Sequence, residues 1–257
     1  MKRKASRPSF FIGWDVGGWN CDDNPRSRDA IVILDDELAI VGKPWRGNLR
    51  KCIVDSITTS DWLTALFGKC EAQYPELPPS ITMAIDAPLG FSDEFVNLIT
   101  RKGFVEADRT SGLNRYLFRY TERHLFEKKL RPLSAIKDMI GSQATKGMHV
   151  LAKFATRTES CGVWTDGKAF RAIETYPAAC RATLPEKTPR GRKPSRWNSD
   201  VNDAHVCALV AYLFAKKRTD LEKPPAKVPV GEGWIWIPRA KARGWIHENI
   251  DSPRPHR

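Results

Sequence analysis

The sequence predicts an α/β fold: a mixed sheet of five strands flanked by helices, with a helical insertion between the fourth and fifth strands. Three observations predict it. Short β-branched and aromatic runs stand at 10–16, 30–34, 38–42, 81–86 and 169–177. Two of these runs lie close enough to form a hairpin, and segments of helical spacing separate the later ones. An antiparallel meander followed by β-α-β units gives a mixed sheet covered by helices.

Each element has its own signal. FFIGWDV (10–16) reads as a strand that ends in Gly17-Gly18. AIVIL (30–34) and LAIVG (38–42) flank Asp35-Asp36-Glu37, which reads as a hairpin with a solvated acidic turn. Residues 60–72 put Trp62, Leu63, Leu66, Phe67 and Cys70 at helical spacing behind Ser60, a candidate N-cap. Pro75, Pro78 and Pro79 then break the chain before ITMAID (81–86), a continuous apolar run ended by Pro88. Such a run suits a strand buried on both faces. Residues 91–160 read as mostly helical and include RYLFRYTERHLFEKKLR at 115–131. AFRAIETYP (169–177) supplies the fifth strand, and PEKTPRGRKPSRWNS (185–199) a basic loop in which only Glu186 opposes five cations. A helix runs from Asp200 to about Lys217, with Ala204, Cys207, Ala208, Ala211 and Phe214 on its apolar face. GWIWIP (233–238) is a last strand or a docking segment. The domain so defined spans 10–238, with the insertion at about 91–165 and basic tails at 1–9 and 239–257.

Composition narrows the function classes. A chain of 257 residues that is 41% hydrophobic can bury a core without staples. No apolar run approaches the roughly 20 residues that span a bilayer, so no membrane partner is expected. The basic N-terminus leads into no signal-like apolar stretch, and secretion is not expected. Six cysteines without a CxxC pair point to reduced thiols and a cytoplasmic location rather than to disulfides or zinc. The excess of 42 Lys+Arg over 30 Asp+Glu, +12 in formal charge, favours a polyanionic partner such as nucleic acid.

The candidate chemistry lies in the acids. Asp15 sits on the first strand within GWDVGG, and Asp86 ends the fourth strand within AIDAPLGF. Asp200 and Asp203 stand three apart at the start of the last long helix, on one side of it. Glu174 lies in the fifth strand. With the first and fourth strands adjacent and the helix crossing them, carboxylates distant in sequence converge. Clustered carboxylates repel, so such a group persists chiefly with cations, and all-oxygen donors suit Mg²⁺ or Mn²⁺. Two such ions about 4 Å apart can activate a water and stabilise the leaving oxygen of a phosphodiester. Each acid alone also has a bland reading: Asp15 as a turn residue, Asp86 as a turn cap, Asp200 and Asp203 as first-turn helix residues, Glu174 as a partner of an arginine. Their joint placement favours the site.

The element order is that of an RNase H-like fold. GWDVGGWN, AIDAPLGF, RYTER, AIETYPAA, DVNDAHVCALVAYLFA and EGWIWIP, in this order over residues 10 to 238, resemble the domain-of-unknown-function family 429, predicted RNase H-fold nucleases. The DVNDAHVCALVA segment also looks like the acidic helix of RuvC-type resolvases. The resemblance implies Asp15, Asp86 and Asp203 as metal ligands, with Asp200 or Glu174 as the extra acid. It implies a metal-dependent nuclease acting on DNA or RNA. Candidate phosphate contacts are Lys187, Arg190, Arg192, Lys193 and Arg196 in the basic loop, and Arg115, Arg119 and Arg123, a stripe at four-residue spacing. Trp197 is a candidate for base stacking. Two alternatives stay open: an RNase H-fold module that binds nucleic acid without cutting it, and an ATP-using phosphotransferase of the actin/Hsp70/sugar-kinase type, for which Asp15 with Gly17-Gly18 resembles a first phosphate loop. A second Gly-rich phosphate segment and a GxxxxGK[ST] loop are both absent from the sequence.

Overall fold

The computed structural model describes residues 7–106, 113–184 and 198–239. Lys187, Arg190, Arg192, Lys193, Arg196 and Trp197, residues 1–6 of the N-terminal tail and all but Arg239 of the C-terminal tail lie outside them.

The centre of the molecule is three parallel strands, β1 (Ser9–Asp15), β4 (Ser80–Asp86) and β7 (Phe170–Thr175). On one side β2 (Asp29–Leu34) and β3 (Trp45–Gly47) extend the sheet antiparallel. On the other, β5 (Arg157–Ser160) and β6 (Val163–Thr165) form a hairpin against β7, and the short β8 (Ile235–Trp236) pairs with β7 in parallel. The sheet order is β3-β2-β1-β4-β7-β6-β5, with β8 off this path. The fold is therefore mixed α/β, with eight strands where the sequence predicts five.

The extra strands have local causes. The second arm of the predicted hairpin, 38–42, makes only an isolated bridge, Leu34 to Ile40. Asp35 accepts from the backbone N–H of Glu37 and Ala39, and Leu38 turns left-handed at φ 59. This tight loop takes the chain away before a ladder forms, and Trp45–Gly47 becomes the edge strand instead. The insertion contributes helices α3 (Asp93–Arg101), α4 (Tyr120–Glu127) and α5 (Gly141–Phe154), but its last part, predicted helical, is the β5–β6 hairpin. Its threonines and Trp164 favour a strand.

Helices cover both faces. After the short α6 (Pro177–Cys180), long helix α7 (Ser199–Lys216) lies over β1, β2 and β4, burying Ala204, Cys207, Ala208 and Ala211 against Phe11, Val32 and Ala84. The other face holds Ile12, Trp14, Met83 and Ile85, covered by α1 (Arg50–Asp55), α2 (Thr59–Lys69) and α5 through Ile53, Trp62, Phe67 and Phe154. Period-two alternation in β1 and β4 makes these two cores. Gly13 lets α7 approach: a Cβ there would stand 1.8 Å from the carbonyl oxygen of Ala204. All six cysteines are free, and among the described residues no helix is long and apolar enough to cross a membrane.

Candidate active site at the ends of the central strands

Asp15 and Asp86 are the last residues of two adjacent parallel strands and are directly in register. In-register residues on neighbouring strands point to the same face, with backbones about 4.8 Å apart. That face is the one α7 covers, because Gly13, two residues before Asp15, touches the helix. Both side chains are half-buried and open on one cavity of about 200 Å³ at the carboxyl ends of the strands. Such strand ends are the usual ligand position in α/β sheets.

The electrostatics follow from this placement. Burial, then the neighbouring charges of Asp86, Asp203 and Asp200, raise the Asp15 carboxyl well above the ordinary range. Burial, Asp203 and Glu174 push Asp86 up to about 8, against a smaller opposing effect of Arg181. Among the described residues neither carboxylate accepts a hydrogen bond or forms an ion pair.

The other predicted acids each have an arginine. Asp203 pairs with Arg181. Asp200 accepts from Arg46 Nε at 2.7 Å and from the Arg28 backbone N–H at 3.1 Å, so it ties the start of α7 to β3. Glu174 is in register with Ile85, one place short of Asp86, and so starts from the opposite face of the sheet, yet at the strand end it lines the same cavity and is near enough to raise Asp86. There Arg119 grips it with two bonds, at 2.6 and 2.8 Å, and the Leu89 N–H adds a third at 2.9 Å. Glu174 is thus held in a buried ion pair, as the bland reading had it. Asp15 and Asp86 stand side by side, and Asp203 is near enough to raise both. Even so, among the described residues no three His, Cys, Asp or Glu side chains are grouped so as to hold a metal ion.

The arginine stripe dissolves. Helix α4 begins only at Tyr120, so Arg115 precedes it and Arg119 is its N-cap. Arg115 pairs with Glu94 at the surface, whereas Arg119 is 2% exposed and spent on Glu122, Glu174 and the carbonyl oxygen of Glu232. Arg123 is half-buried on α4. A buried arginine with every N–H committed has nothing left for phosphate.

Two groups that the sequence reading missed shape the site. Asp29, fully buried at the start of β2, accepts from Trp14 Nε1 at 3.0 Å and from the backbone N–H of Gly17 (2.9 Å) and Leu49 (2.7 Å). Lys146 of α5, equally buried, pairs with it and also donates to Gly18 O and Asn48 Oδ1. This pair pins the Gly17-Gly18 turn that follows Asp15. A signal existed: Lys146 falls four residues before Val150, on the apolar stripe of α5, where a lone lysine calls for a buried acid. The second group is the Arg119–Glu122–Glu174 cluster, which Glu232 joins by capping the N–H of Tyr120 and Asp93. It links the insertion, β7 and the segment before β8.

Comparison with protein-family models, with curated proteins and with solved structures returns no match.

Proposed function

We propose that this chain is an RNase H-like, metal-dependent nuclease that hydrolyses phosphodiester bonds of DNA or RNA. In this reading Asp15 and Asp86 would hold Mg²⁺ or Mn²⁺, with Asp203, now paired with Arg181, as the third candidate ligand. The observation that carries the reading is the in-register pair Asp15 and Asp86, which faces a cavity without a hydrogen-bond or ion-pair partner among the described residues. Two half-buried like charges are costly to keep side by side, and a hard divalent ion on oxygen donors would offset that cost. When bound, such an ion supplies Lewis acidity and an activated water. The motif order that resembles family 429 supports the same fold and activity.

The chain's own residues have distinct parts here. The Asp29–Lys146 pair holds the turn behind Asp15, and the Asp200–Arg46 pair anchors the start of α7 so that Asp203 faces the strand ends. Arg119 fixes Glu174 and, through it, the Leu89 N–H after Asp86.

One observation favours a second reading. Asp203, Asp200 and Glu174 are each neutralised by an arginine, as suits a module that binds nucleic acid without cutting it. Cleavage separates the two. Labelled DNA and RNA incubated with Mg²⁺ or Mn²⁺ should be cut, and a chelator should stop the reaction. Asp15→Asn should slow it by more than about 100-fold, since even outer partners of metal ligands are worth about 10–100-fold. Salt-sensitive binding with no metal-dependent cleavage would favour the module instead.

A further inference from the structure

The cavity beside the acid pair has a wall that metal chemistry does not need. Tyr176, Pro88, Pro132, Leu133 and Ile140 form its apolar side, and Gln143 of α5 its polar edge. Tyr176 is fixed as a rigid face because its hydroxyl donates to the carbonyl oxygen of Arg131 at 2.9 Å. The half-buried Gln143 side chain has no hydrogen-bond partner among the described residues, so a donor and an acceptor of its amide are left for a ligand. A flat group with apolar faces and hydrogen-bonding edges meets both requirements. At about 200 Å³ the space lies below the roughly 300–1,000 Å³ of sites that hold whole drug-sized ligands, and it suits one ring system.

Resting on the nuclease reading, we propose that this cavity seats the base of one unpaired nucleotide, so that the substrate is a single strand or a strand with an extruded nucleotide. Bases inside a duplex are stacked and present no free face, whereas an unpaired base can lie on an aromatic platform and be read at its edge. The rim indicates a strand rather than a free base. Arg131, next to the wall, is exposed, and Arg181 at the acid site is half-exposed, so flanking phosphates would meet cations on leaving the pocket.

Binding distinguishes the possibilities. Fluorescence anisotropy with Ca²⁺ in place of Mg²⁺ would compare a labelled 12-nucleotide single strand, the matched duplex, and that duplex carrying one extrahelical nucleotide. The single strand should bind at least about 10-fold more tightly than the duplex, and the extrahelical nucleotide should restore most of the difference, as loss of one stacking platform is worth about 5- to 150-fold. Gln143→Ala and Tyr176→Leu should each weaken the single strand about 10-fold and leave the plain duplex unchanged. If Tyr176→Leu does not fold, Gln143→Ala alone decides, because it only trims a half-buried side chain on a helix. Equal affinity for all three nucleic acids, or variants that weaken strand and duplex alike, would overturn the seat. If Mn²⁺-dependent cleavage persisted in that case, the nuclease reading would stand. A single-strand preference without any cleavage would support the seat and remove the nuclease reading.

Discussion

Asp86→Asn is expected to raise the thermal stability of the protein while it removes cleavage. In the folded chain the Asp86 carboxyl titrates at about 8, against 3.8 when unperturbed. Between those values the folded state holds a proton that the unfolded state has released. The contribution of Asp86 to stability therefore falls as pH rises from about 4 to about 8, and asparagine, which never ionises, removes that loss. The variant and the wild-type chain should melt together near pH 4. By pH 8–9 the variant should melt clearly higher, by at least several degrees. Added Mn²⁺ should reverse the order, because it stabilises the wild-type chain by mass action and finds no site in the variant. Melting curves over pH, with and without Mn²⁺, give the whole pattern. A variant that melts lower at every pH would show that Asp86 is a structural acid with a favourable partner.

Arg119→Met is expected to have the opposite character: a large loss of stability. The guanidinium is buried, with bonds to Glu122 at 2.9 Å, to Glu174 at 2.6 and 2.8 Å, and to the Glu232 carbonyl at 3.0 Å. Methionine fills much of the volume but leaves two buried carboxylates without their cation. Burial already pushes Glu122 above its ordinary range with Arg119 in place. Breaking one side of a buried ion pair costs about 3–5 kcal/mol, so urea denaturation should show a loss of that size. The double variant Arg119→Met with Glu174→Gln should regain part of it, because one stranded charge is then removed. A loss below about 1 kcal/mol would mean that water reaches the cluster and that it does not lock the insertion to β7.

The acid pair was legible in the sequence because its strands are simple. Apolar runs ending in Asp15 and Asp86 announce two buried strands, and the structure pairs their ends in register. The small-residue face of α7 was equally plain. What was not legible is which way a charge points. Glu174 reaches the cavity of the acid pair but is tied up by Arg119, and a single strand read alone reveals neither that partner nor its register against β4. Arg115, Arg119 and Arg123 keep helical spacing, yet the helix starts at Tyr120, so the middle arginine goes inward as a cap and the first remains outside. A buried arginine and an exposed one look alike in a sequence; only the distant Glu174 carboxylate and Glu232 carbonyl that Arg119 meets, besides the nearby Glu122, distinguish them. The Asp29–Lys146 pair joins residues 117 apart, which no local pattern encodes. The sheet grew from five strands to eight through short edge pairings, in segments where turn geometry rather than hydrophobic pattern decides.

The central claim is that the Asp15 and Asp86 carboxylates share a divalent cation. Anomalous diffraction from crystals of the protein grown with Mn²⁺ tests it most directly. A manganese peak is expected within coordination distance of both carboxylates, with Asp203 turned from Arg181 toward the ion. A map with no peak there, and with the two carboxyl groups bridged by a shared proton, would contradict it.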